Sequence, residues 1–147
     1  MAVAADDTLA PMLVRRFIVA ERSMAPCLEP GDRVIAIRRV PAPGDIVVAS
    51  APDGLRVVKR LIAVGPALVE VADERVTIDG EPSPHAPPEG TPGSGAWTVG
   101  PGQVFMLSDA PRRTDADSRS WGPIDATEIL GTVRWRYRPL ARWGRTT

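Results

Sequence analysis

Histidine, cysteine and lysine are nearly missing from this chain of 147 residues: each occurs once. A single cysteine excludes an internal disulfide. One cysteine and one histidine also exclude a zinc site built from those two ligand types, so no metal and no cofactor is expected. The histidine, His85, sits in Pro84-His85-Ala86-Pro87-Pro88, a poor platform for a firmly held base, and a Ser-His-Asp triad is disfavoured. The 18 basic and 18 acidic residues cancel, so no bulk field draws the protein to nucleic acid. No run approaches the ~20 apolar residues that a membrane-spanning helix needs. The first residues, Met1 to Pro11, carry Asp6 and Asp7 and lack the basic and apolar regions of a signal peptide.

Proline and glycine, by contrast, are plentiful at 16 and 13, which favours short strands joined by many turns over long helices. The apolar runs fit that reading. Strands are expected at the end of 13–20 and over 33–38, 45–49, 55–64, 68–71, 75–78, 104–107 and 131–138, with turn signals such as Pro52-Asp53-Gly54 and Asp79-Gly80 between them. The expected fold is all-β, with coiled strands forming a small, partly closed barrel. One domain is expected over 12–140, preceded by a disordered lead at 1–11 and followed by a tail at 141–147. Residues 81–96 have almost no bulky apolar side chain and read as a mobile Pro/Gly-rich loop.

Ser23-Met24-Ala25-Pro26-Cys27-Leu28-Glu29-Pro30-Gly31-Asp32 lies between two of these strands and would present a serine hydroxyl on a tight turn. A serine is a nucleophile only if a neighbour takes its proton. Seventeen of the 18 basic residues are arginines, which do not deprotonate in proteins. Lys59 is the sole lysine, set among Val57, Val58, Leu61 and Ile62, where burial would depress its pKa. Alternation places it on the face of Val57 and Leu61, with Arg60 opposite. If the chain performs serine catalysis, Lys59 is close to a forced choice of base.

Ser23-Met24-Ala25-Pro26 with Gly31-Asp32, then Val58-Lys59-Arg60, then Phe105-Met106-Leu107-Ser108-Asp109 leading to Asp117-Ser118-Arg119-Ser120-Trp121-Gly122, resembles in order and spacing the signal peptidase I family. The resemblance implies the signal peptidase β-fold, related to that of the self-cleaving SOS repressor peptidases. It also implies a serine endopeptidase with a Ser23–Lys59 dyad, cleaving a leader or propeptide after small residues in an Ala-x-Ala pattern. In such a site the backbone N–H of Ser23 stabilises the oxyanion. Substrate pockets would form around Met24, Glu21, Ile18 and Val19. Asp109, Asp117, Ser118 and Arg119 would support the site, with Arg60 as an ion-pair partner of the late box.

Three departures stand out. Glu21 occupies a position where the family usually has Ser or Gly, and a carboxylate facing an oxyanion would raise the barrier. The late box reads Ser108-Asp109-Ala110-Pro111 instead of Gly-Asp-Asn, and its register slips by one residue, so Thr114 or Asp115 is expected to support Lys59. The family's amino-terminal anchor is also missing, with 22 residues before Ser23. In size and lack of an anchor the chain looks like the small members that mature nickel superoxide dismutase. A self-cleaving repressor is disfavoured, because residues 1–22 contain no glycine for a scissile Ala-Gly or Cys-Gly bond. The alternative to an enzyme is a weakened or inactive peptide-binding homologue. The expected partner is a leader-bearing protein, met by a monomer that is cytoplasmic or membrane-peripheral. The tail arginines 134, 136, 138, 142 and 145 read as a solvated face, with weak contact to anionic lipid as the sharper alternative.

Overall fold

The computed structural model describes residues 3–10 and 14–146. In chain order the strands are β1 (Val3–Ala10), β2 (Val14–Val19), β3 (Arg33–Ile37), β4 (Ile46–Ser50), β5 (Arg56–Val64), β6 (Ala67–Ala72), β7 (Arg75–Ile78), β8 (Glu81–Pro82), β9 (Gly95–Val99) and β10 (Gln103–Leu107). A four-residue helix, α1 (Ser118–Trp121), precedes β11 (Ile124–Asp125), β12 (Ile129–Arg138) and β13 (Gly144–Arg145). Single 3-10 turns occupy Ala126–Glu128 and Leu140–Arg142.

The fold is all-β, as expected. The strands form two antiparallel sheets, one in the order β1-β2-β3-β12-β4-β5-β10-β11 with β13 beside β12, the other in the order β8-β7-β6-β9. Neither sheet closes on itself. Three apolar clusters hold the sheets. One gathers Phe17, Val19, Met24, Leu28, Val34, Ile46, Val48 and Val58. A second gathers Val47, Val57, Leu61, Val104 and Met106. The third joins the two sheets through Ile62, Val69, Val99, Phe105 and Leu107. The alternation along β5 explains the first two: Val58 belongs to one cluster, Val57 and Leu61 to the other.

Three expectations change. Val3–Ala10, assigned to a disordered lead, pairs as β1 with β2 and covers what would be an open edge. Leu13 and the 11/12 boundary lie outside the described residues. The 81–96 segment contains β8 and the start of β9, and it is anchored: Pro87 and Thr91 are buried, and Ala86 packs on the third cluster. Within this segment His85 lies half-buried against Gly44, where an added Cβ would stand 2.7 Å from the ring. The tail continues as β13, with Trp143 meeting Trp135 edge-on at 5.2 Å. No helix among the described residues is long and apolar enough to cross a membrane.

The chain passes from the first sheet to the second at Gly65, whose N–H donates to the Gln103 carbonyl at 2.9 Å. A Cβ there would stand 1.8 Å from the Gly100 carbonyl oxygen, a backbone atom that cannot swing aside. Gly65→Ala is expected to destabilise the fold by about 2 kcal/mol or more, as overpacking against a fixed wall does. Urea denaturation measures it, and a wild-type midpoint would contradict the tight corner.

Candidate active site

Lys59 lies on β5, between β4 and β10, so it is a central-strand residue and not an edge lysine. It pairs across the strand with Val47 and shares a face with Val57 and Leu61. Only 2% of its surface is exposed. Burial lowers its pKa from 10.5 to about 8; the charges of Asp117, Glu21 and Asp109 oppose that fall and Arg119 assists it. The lysine is therefore held near the point where it can exchange a proton at neutral to mildly alkaline pH.

Its one hydrogen-bond partner among the described residues is the buried Ser108, whose Oγ lies 2.9 Å from Nζ. Of the two residues expected in this role, Thr114 turns its hydroxyl to the backbone of its own loop and Asp115 is exposed. Thr114 Oγ1 accepts from Ala116 N–H, and the Asp115 carbonyl accepts from Asp117 N–H and Ser120 Oγ. The departure at residue 108 thus places a hydroxyl where the resembling family has glycine. Alternation along β10 offered a signal, since Ser108 falls on the face of Met106, which faces the second cluster as Lys59 does.

Ser23 lies in the 20–32 loop and is 4% exposed. Its Oγ has no hydrogen-bond partner among the described residues. The loop is sewn to the end of β10: Ala110 N–H donates to the Ser23 carbonyl at 2.9 Å, and Asp109 N–H approaches Met24 Sδ at 3.4 Å. Residues 108–110 therefore carry the contact to Lys59 and the contacts to Ser23 and Met24 within three positions. Met24 is fully buried.

The supporting residues form two ion pairs on opposite sides of this segment. Arg60 grips Asp109 through Nε at 2.8 Å and Nη2 at 2.6 Å, and donates to the Gly44 carbonyl at 2.8 Å. Within the late box, the residue that pairs with Arg60 is therefore Asp109. Asp117, fully buried, is held by Arg119 through Nε at 2.9 Å and Nη2 at 2.8 Å. It also accepts from Ser108 N–H at 3.0 Å and so fixes the backbone of the residue that touches Lys59. Ser118 Oγ accepts from Met106 N–H at 2.9 Å. This wiring requires charge-assisted bonds from a rigid fork, which arginine supplies.

The expected pocket residues separate. Val19 belongs to the first cluster, whereas the half-buried Ile18 faces the other side of β2, so the two do not line one wall. Glu21 is exposed, and its charge reaches Lys59. A groove runs along Ala25, Pro26, Cys27, Arg60, Asp109 and the 84–89 loop. It includes Arg60, on the face of β5 opposite Lys59.

Comparison with known proteins gives a consistent picture. Residues 1–138 match the family described as "Signal peptidase, peptidase S26". The chain is 35% identical to the protein named "Probable signal peptidase I-1" of Synechocystis, over 90% of this chain and 78% of that one. It is 32% identical to "Probable thylakoidal processing peptidase 2, chloroplastic" of Arabidopsis thaliana, over 84% of this chain but 38% of that protein. A solved signal peptidase I from Enterococcus faecalis superposes with a TM-score of 0.53 at 26% identity, covering 64% of this chain and 97% of that one.

The burial of Lys59 has a measurable cost. Its folded pKa, about 8, lies below the 10.5 of the free side chain, so between these values the unfolded chain binds more protons. Stability is expected to rise with pH across that window, by up to ~1.4 kcal/mol per pH unit. Lys59→Met should lack the rise, and denaturant titrations at about pH 8 and about pH 10 compare the two.

Proposed function

The chain belongs to the signal peptidase I family, peptidase S26, and on that premise we propose that it is a serine endopeptidase that removes a leader from a protein substrate by a Ser23–Lys59 dyad. The observation that carries this reading is a sole lysine sunk in a central strand with its pKa brought to about 8, beside the segment that also anchors Ser23. Neutral Lys59 takes the proton of Ser23 as Oγ attacks the scissile carbonyl, and returns it to the leaving amine. An acyl-enzyme on Ser23 remains, and water attacks it with Lys59 again as base. The Ser23 backbone N–H faces the developing oxyanion. Ser108 acts as the positioning hydroxyl that keeps Nζ from wandering. Cleavage after small residues at the first and third positions before the cut follows from the family resemblance.

A second reading, a peptide-binding homologue with disabled chemistry, is favoured by one observation. Lys59 Nζ is bonded to Ser108 and not to Ser23, whose Oγ is unpartnered. Productive geometry needs Nζ within reach of both hydroxyls once substrate is bound.

Purified protein with Ala-x-Ala leader peptides decides between them. Ser23→Ala and Lys59→Ala are each expected to lower kcat by at least ~10³-fold. Ser108→Ala is expected to lose about 100-fold, as a misplaced base does, with little change in KM. Equal cleavage by wild type and Lys59→Ala would end the dyad reading. The rate should climb with pH and level off above about 8, since only neutral Lys59 accepts a proton. Glu21 supports the charged lysine, so Glu21→Gln should move that climb to lower pH; an unmoved or upward-shifted profile would exclude this coupling.

A further inference from the structure

The 20–32 loop has little internal structure. Its neck is closed by two backbone bonds, Val19 N–H to the Asp32 carbonyl and Gly31 N–H to the Val19 carbonyl, both 2.8 Å. Within it run only single-turn contacts such as Leu28 N–H to the Met24 carbonyl. The carbonyls of Pro26 and Cys27 lie near the crown of the loop. They are met from the far end of the chain. Arg142 Nη2 donates to the Pro26 carbonyl at 3.1 Å and to the Cys27 carbonyl at 3.4 Å, and Arg136 Nη1 donates to the Cys27 carbonyl at 2.8 Å. The same arginines converge on Asp32, which is 2% exposed. Arg142 Nη1 reaches both of its carboxylate oxygens at 3.0 Å, and Arg136 Nη1 stands 3.5 Å from Oδ2. Asp32 also accepts from Glu29 N–H at 2.9 Å. Arg136 Nε donates to the Arg142 carbonyl, which locks the two donors to each other.

We propose that Arg142 and Arg136, working through Asp32, are positioning residues for the nucleophile: they fix the crown of its loop, and with it the direction of the Ser23 hydroxyl and N–H. This rests on the reading of Ser23 as nucleophile given above. Two guanidinium groups face one carboxylate, and the surplus positive charge is taken up by the two loop carbonyls, three and four residues after Ser23. The grip depends on fork geometry, in which one guanidinium serves a carboxylate and two carbonyls at once. A lysine has the charge but not the fork. The grip touches loop backbone and not the apolar clusters, so its loss should disturb the geometry of attack more than the folding of the sheets.

The test is made on Arg142, because removing Asp32 would leave two partly buried cations without their carboxylate and confuse folding with positioning. In the leader-peptide assay, Arg142→Ala is expected to lower kcat about 30-fold with KM within about threefold. Millimolar guanidinium chloride should restore much of that rate, whereas Arg142→Lys should remain impaired. Amide hydrogen exchange on the same variants should quicken in residues 23–28 and stay unchanged in β4, β5 and β10. A wild-type kcat in Arg142→Ala, a loss that matches only the unfolded fraction, or unaltered exchange in the loop would each overturn the proposal. Ser23→Ala is carried as a control: if wild type and Ser23→Ala are equally inactive, the peptidase reading fails, while the exchange experiment still decides whether Arg142 holds the loop.

Discussion

One amine taken out of water sets the terms for this structure. An ammonium in the middle of a sheet is costly, and Lys59 lies on a central strand with valine and leucine around it. The protein neither neutralises it with an adjacent carboxylate nor lets it snorkel to solvent. A neutral hydroxyl, Ser108, is its partner, and the nearby acidic groups act through space rather than by contact. A carboxylate in bonding range would have held the lysine fully charged and useless as a base. Two of the acidic residues close by are already committed to an arginine: Asp117 to Arg119 and Asp109 to Arg60. These pairs look like ordinary structural salt bridges, but they also keep carboxylates away from Nζ.

The sheet divides the chemistry in a second way. Alternation sends Lys59 and Ser108 to one face and Arg60 and Asp109 to the other, so the reactive groups and one of the strong ion pairs share two strands without sharing a side. The segment after β10 can then do two jobs at once: its hydroxyl faces the lysine and its carboxylate fastens it to β5. Its next N–H, that of Ala110, holds the carbonyl of Ser23.

Much of this was legible in the sequence. Composition and turn residues point to an all-β chain, the uniqueness of Lys59 singles it out as the candidate base, and the period of two predicts its face. What was not legible depended on partners distant in sequence. Thr114 and Asp115 were nearer the family pattern than Ser108, and only the pairing of β10 with β5 reveals which hydroxyl meets Nζ. Asp117 and Asp109 are equivalent as carboxylates on paper; the choice by Arg60 is made by strand face. Val3–Ala10 has ordinary polarity for a lead, and its strand state comes from the vacant edge of β2 rather than from its own residues. The role of the tail arginines was hidden most completely, because a row of alternating arginines on a terminal strand has the appearance of a solvated face. Arg136 and Arg142 instead reach a loop more than a hundred positions earlier.

That long reach has a consequence for how the protein is made. Ser23, Lys59 and Ser108 leave the ribosome in that order, and the sheet that joins them is completed by β12, inserted between β3 and β4. The grip on the serine loop arrives later still, from a residue 110 positions after the carboxylate it holds. During vectorial synthesis the Ser23 loop therefore emerges first and its grip arrives last. A growing chain carries the serine loop without the arginines that grip it, and truncated products that end before the Leu140–Arg142 turn inherit the same ungripped state.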